Sequence, residues 1–219
     1  MDEWIHMLRA IHIRSGVLAL GTFAIPLVVQ KGNTLHRQAG WLYVVGMYVA
    51  AATAVALAPL RVAERGWEGG RGAIFLAYIG LMSFTSAFYG MRVLKQKQRK
   101  AAQPWSLELE VPVLLMLASL AMAAFSAAQG FTLGLVFAGL GLLVAVPQWR
   151  TLRRPPEGKA WWLVEHLGSM IIACIGTVTA FLVNNVNTFF PQHVGVFVWV
   201  VPTLVGVPLM SYWKRKYRK

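Results

Sequence analysis

The chain has 219 residues, of which 57% are hydrophobic and 13% charged, and its formal net charge is +13. A soluble domain carries about a quarter charged residues, so this composition excludes an ordinary water-soluble fold and reads as an integral membrane protein. The basic residues stand in short runs between apolar segments, which argues for a topology signal and against a nucleic-acid-binding face.

The N-terminal WIHMLRAIHI reads as an amphipathic piece at the outer interface, residues 1–12, ahead of the first span. It lacks the basic start and small-residue cleavage site of a signal peptide. A bilayer core of about 30 Å takes ~20 helical residues. Seven apolar segments of that order follow: Ile13–Val29, Gln38–Pro59, Gly72–Leu94, Leu107–Gln129, Phe131–Pro147, Trp161–Val183 and Val194–Tyr212. The connecting stretches are short, so one up-down domain over 1–219 is expected, an all-α bundle of seven transmembrane helices.

Local signals punctuate these segments. Asn33, three residues before His36 and just after Lys-Gly, is placed to turn the chain and cap the second helix. Gly66–Gly72 reads as a flexible outer loop. Ser106 is placed to cap the fourth helix, with Glu108 and Glu110 complementing its dipole. Gly130, Gly134 and Ala138 make a small-xxx-small ladder against the alanine-rich fourth helix. Pro26, Pro112, Pro202 and Pro208 are tolerated inside or near spans as kinks. Cys174, the single cysteine, lies mid-helix, which excludes a disulfide framework and a thiolate cluster.

Orientation follows from lysine and arginine. The first, third and fifth loops and the tail WKRKYRK, residues 213–219, hold 16 of the 21 basic residues. The positive-inside rule then puts the N-terminus out and the C-terminus in. Trp41, Trp105, Trp149, Trp161, Trp162 and Trp213 form an aromatic belt at the inner edge.

The sixth segment carries the chemistry. Glu165 and His166 lie about a turn and a half inside its apolar start, where ionisable groups are costly and face a bundle interior or a wet cavity. His166, Met170, Ala173, Thr177 and Asn184 share one side of the helix, a narrow polar and small stripe that suits a path, a cofactor edge or a helix–helix seam. The topology gathers His36, Arg37, Glu108, Glu110, Glu165 and His166 at the inner edge. Imidazole and carboxylate together hold a divalent metal such as zinc or iron, with His36, His166 and Glu110 as ligands, or they relay protons. Glu108, Glu110 and Glu165 equally serve as helix-start acids. An outer set comprises His6, His12, Arg14, Asn184, Asn185, Asn187, Gln192 and His193. A two-haem b-type reading pairs His36 with His166 and His12 with His193, with Met170 as an alternative axial ligand and Arg37 on a propionate or lipid phosphate. No phosphate loop, H-E-x-x-H or G-x-S-x-G stands in the chain, and no arginine ladder of a voltage sensor.

His36-Arg37-Gln38-Ala39-Gly40-Trp41-Leu42-Tyr43 reads H-R-x-x-G-x-x-Y at a helix entrance. With His166, Met170, Thr179-Ala180-Phe181 and Asn184, it resembles a family of bacterial multi-pass membrane proteins known only as a domain of unknown function. The likeness covers helices one, two and six best. It implies an inner-membrane protein with His36, Arg37, Gly40, Tyr43 and His166 as its signature, and no activity.

The leading expectation is a membrane-embedded cofactor- or metal-binding protein, including a b-type haem redox carrier acting on a quinone or other small molecule. His36 and His166 would be ligands or relay groups near the cytoplasmic face, and Glu165 a group supporting a ligand or a base. The alternatives are a proton-coupled transporter or channel along helix six, a metal-dependent membrane hydrolase, and a scaffold whose polar residues only set packing.

Overall fold

A computed structural model describes residues 2–189, 195 and 197–217, and those residues form helices and connecting turns without a strand. Helix α1 runs over Asp2–Thr22 without interruption, so the N-terminal piece and the first apolar segment are one helix. No proline stands before Pro26 to break it. Pro26 lacks an N–H and its ring clashes with the carbonyl four residues back, at Thr22, where α1 stops. A short α2, Ala24–Val28, follows. Lys31 Nζ donates to the carbonyls of Pro26 (2.6 Å) and Leu27 (2.8 Å), which α2 leaves open. Gly32 takes φ +81° to turn the chain. The Asn33 carboxamide oxygen then accepts the His36 N–H at 2.7 Å, the expected cap.

Helix α3, Thr34–Arg92, is two legs joined at Gly66, whose φ of 70° and ψ of 178° are open essentially to glycine alone. A straight helix would separate Val62 from Gly70 by about 12 Å. Instead a Cβ on Gly70 would stand 2.6 Å from Val62 Cγ2. Gly80 lies against Ala51 and Ala54, and the rings of Tyr48 and Phe84 are 5.0 Å apart. These pairs are all centred on Gly66, so α3 is an antiparallel helical hairpin. The stretch expected as a glycine loop stays helical up to its single turning residue, and an Arg61–Glu64 ion pair of 2.7 Å braces the approach.

A 3-10 turn at Val93–Lys95 ends the hairpin. Helix α4, Leu107–Ala128, starts after Ser106, which has the extended backbone of a cap but no side-chain capping bond. Its hydroxyl is instead met by Gln103 Nε2 at 3.4 Å. Helix α4 ends in a Schellman motif. Gly130, at φ +62°, gives its N–H to Ala127 O, and Phe131 gives its own to Ser126 O at 2.8 Å. Gly130 thus belongs to the turn. Gly134 and Ala138 continue the expected ladder on α5, Thr132–Leu152, where a Cβ on Gly134 would collide with Ser126 of α4. Helices α6, Trp161–Phe189, and α7, Phe197–Tyr217, complete the order.

By length and composition, Glu3–Val28, Thr34–Lys95, Leu107–Ala128, Thr132–Leu152 and Trp161–Asn185 are each able to cross a bilayer, the second being the hairpin. This is an all-helical, membrane-type protein.

Contacts divide the chain into two compact units: Met1–Phe84 with Cys174–Gly206, and Thr85–Ala173 with Val207–Lys219. In the first, α1 and the hairpin approach closely at Gly46, where an added Cβ would lie 2.9 Å from the Ser15 carbonyl oxygen and 3.3 Å from Ala19 Cβ. Tyr43, Val44 and Met47 are buried beside it in sequence, and Phe75 meets Trp199 with ring centroids 5.3 Å apart. In the second, α4 packs along α5, and a core of Tyr89, Val93, Leu109, Leu152 and Trp161 gathers Trp149 and Trp162.

Candidate functional site

In the first unit, the H-R-x-x-G-x-x-Y motif becomes a stitched helix face. His36, Gly40 and Tyr43 recur at helical spacing on one side of α3. His36 Nδ1 lies 3.2 Å from Pro26 O, and Pro26 Cγ would be 3.9 Å from a Cβ on Gly40. Tyr43, 1% exposed, reaches Thr177 Oγ1 at 3.0 Å. Thr177 in turn donates to Met47 Sδ at 3.0 Å. Arg37 is exposed on the other side.

His12 also points inward. Its Nδ1 lies 3.0 Å from both Ala50 O and Thr53 Oγ1. A carbonyl only accepts, so Nδ1 carries a proton. Of the other outer residues, His6 and Arg14 are exposed. Asn184 and Asn185 fold their amides back onto Ala180 O and Phe181 O, each at 2.8 Å. Gln192 and His193 lie outside the described residues, as does the side chain of Asn187.

In the second unit, Glu165 Oε2 accepts the Tyr89 hydroxyl at 2.8 Å. His166 Nδ1 sits 2.8 Å from Gly90 O, which fixes the proton on Nδ1 by the same reasoning. Met170 packs on the same glycine, its Sδ 3.1 Å from where a Gly90 Cβ would be. Within each unit, then, the stripe proposed for helix six is a packed seam: His166 and Met170 lie on Gly90, and Thr177 lies on Tyr43 and Met47. Asn184 is exposed beyond it.

The glutamates of α4 are structural. Arg92 clasps Glu108 through Nε (2.9 Å) and Nη2, joining the end of the hairpin to the start of α4. Glu110 Oε1 accepts the Trp105 indole N–H at 3.1 Å on an exposed surface. Among the described residues no three of His, Cys, Asp and Glu come together so as to hold a metal ion. Within their own units, His36 meets Pro26 O, His166 meets Gly90 O and Glu110 meets the Trp105 indole. Cys174 is buried and free.

Beside Glu165 the second unit opens a cleft of about 830 Å³. Its wall is the C-terminal end of α5, the loop 153–160 and the start of α6, and it carries Arg150, Arg154, Lys159, Glu157, Trp161 and Glu165. Arg99 holds this wall in place. Its Nη1 donates to Leu152 O (3.2 Å) and Arg154 O (2.8 Å), and its Nη2 to Thr151 O (2.9 Å). Thr151 O and Leu152 O are among the carbonyls left open at the end of α5, and Arg154 O follows in the loop. The guanidinium also lies over the Trp161 ring at 4.7 Å, while Lys97 Nζ covers Trp162 at 4.4 Å. Burial pulls the Arg99 pKa below its ordinary value, and the Tyr89 phenol opposes that shift.

Tyr89, Arg92 and Arg99 carry contacts that no spacing in the sequence announces. Tyr89 ends an apolar run and lies 76 residues from Glu165, and Arg92 and Arg99 read only as inner-loop charge. The signal that existed was the density of cations beside tryptophans. No protein-family model, curated protein or solved structure matches the chain.

Proposed function

We propose that the protein is a seven-span component of a bacterial inner membrane, with its C-terminus inside, that takes up and releases a proton at Glu165 as part of a proton-coupled transport or relay step. Counting the α3 hairpin as two spans and α7 as the last brings the total to seven, and the basic loops and tail support the orientation. The likeness at His36–Tyr43 supports the bacterial membrane. The observation that carries the chemistry is the Tyr89–Glu165 hydrogen bond of 2.8 Å beside a cleft whose rim cations are exposed. A carboxylate inside an apolar helix is costly to keep there, and such groups mark relays and substrate paths.

Infrared difference spectra of the purified protein between acid and alkaline pH test this. A protonated-carboxyl band is expected that vanishes in Glu165→Gln and moves in Tyr89→Phe, with potential-driven proton flux in proteoliposomes lost in Glu165→Gln. A band and flux unchanged in Glu165→Gln overturn the reading.

One observation favours a second reading, a b-type haem on His166. The Nδ1–H···O=C bond to Gly90 orients the ring, and a metal-bound imidazole commonly carries such a bond on its other nitrogen. A Soret band in protein from haem-replete cells, lost in His166→Ala, would establish this reading, and a featureless visible spectrum removes it.

A further inference from the structure

Arg150, Arg154 and Lys159 line one cleft, and among the described residues none of them forms an ion pair. Three arginines elsewhere do form ion pairs, Arg61 and Arg65 with Glu64 and Arg92 with Glu108. Two carboxylates share the cleft, but Glu165 is taken by Tyr89. Trp161, 8% exposed, lines the same wall with its indole N–H buried and unpartnered. Helix α6 begins at that tryptophan, so its positive end stands at the wall too. Arg99, by holding the carbonyls of Thr151, Leu152 and Arg154, fixes the backbone from which Arg150 and Arg154 project.

The structure assigns this cleft, we propose, as a binding site for a phosphate-bearing anion. Two arginines offer planar forks that match phosphate oxygens, and Lys159 adds a compact charge. A space of about 830 Å³ exceeds a bare phosphate and suits a phosphorylated headgroup or a small phosphorylated solute. The charge belongs to the protein's own loop and does not depend on Glu165 titrating, so this site and the proton reading fail separately.

The test uses the full-length protein and two arms. In the lipid arm, protein is released from vesicles of phosphatidylcholine with phosphatidylglycerol, and bound lipids are counted by native mass spectrometry. In the solute arm, inorganic phosphate is titrated calorimetrically into protein in a neutral detergent. The variants are Arg150→Gln with Arg154→Gln, Lys159→Gln, and the control Arg153→Gln, an exposed neighbour that does not line the cleft. All replace exposed side chains, and thermal unfolding verifies that each folds. Selective retention of phosphatidylglycerol, reduced at least tenfold in the double variant and kept in Arg153→Gln, supports the site with a lipid source. Phosphate binding with the same variant pattern supports it with a soluble source. No anion binding in either arm, or an equal loss in Arg153→Gln, overturns it.

Discussion

In the first unit the inward-facing polar side chains meet backbone carbonyls, a hydroxyl or sulfur: His12 at Ala50 O, His36 at Pro26 O, Tyr43 at Thr177, and Thr177 at Met47. Helices there approach through glycine, as at Gly46 on Ser15 and Gly80 on Ala51. In the second unit charge takes the larger share: Arg92 on Glu108, Arg99 on four carbonyls of its own unit, and Lys97 and Arg99 over tryptophan rings. A close-packed neutral seam has one good arrangement and little to offer a ligand. A region tied by cations carries surplus positive charge at its surface, and there the cleft lies. The proposed proton and anion sites both fall in the second unit, although the sequence motif lies in the first.

The largest effect should come from breaking the charged tie. Glu108 is only 11% exposed, so Arg92→Ala leaves a nearly buried carboxylate without its partner, at a cost of about 2–4 kcal/mol once the half-open arginine side is discounted. Unfolding in mixed detergent and dodecyl sulfate reads this. Arg92→Ala with Glu108→Ala should recover part of the loss, because the stranded charge is gone. Equal stability of the wild type and Arg92→Ala would remove the distinction between the units.

A glycine comparison sharpens the other side. In Gly46→Ala the new Cβ meets the Ser15 carbonyl and the Ala19 backbone nitrogen, neither able to swing away, so a loss of about 1–3 kcal/mol is expected. Gly40→Ala meets only Pro26 Cγ at 3.9 Å, an ordinary contact, and should be close to neutral. If both variants behave alike, close approach of α1 to α3 is not what holds the first unit.

What was legible in the sequence follows the range of the interaction. Apolar length marked the helices, and Asn33 was readable as a cap because its partner is three residues away. Ser106 carried the same signal, yet its hydroxyl meets Gln103, a competitor that composition does not rank. The glycine-rich stretch was read as a loop because glycine count is a weak guide. Only Gly66 needs glycine's backbone, and its neighbours stay helical. Glu165 and His166 stood out as ionisable groups inside an apolar run, but Tyr89 and Gly90, their partners, are fixed by helix rotation across 76 residues. Arg99 and the cleft cations were visible only as a topology signal, since the positive-inside rule accounts for them without a site.

The smallest expected effect tests whether the first unit's neutral bonds are local in their consequences. Asn33 caps α3 through one 2.7 Å bond to the His36 N–H, and Gly32 and Lys31 shape the turn ahead of it. Removing a cap of this kind costs about 1 kcal/mol. Asn33→Ala should therefore lower stability by that amount, while Asn33→Asp, whose carboxylate accepts the same bond and meets the positive end of the helix, should keep it. His36 lies in the same first turn of α3, and its ring reaches Pro26 O. A frayed α3 start would loosen that ring without touching Glu165. Amide exchange over residues 33–37 should then rise in Asn33→Ala, and the Glu165 infrared band should stay in place. If that band moves as well, the two units are coupled more tightly than their separate bonding implies, and the contrast between them would have to be redrawn.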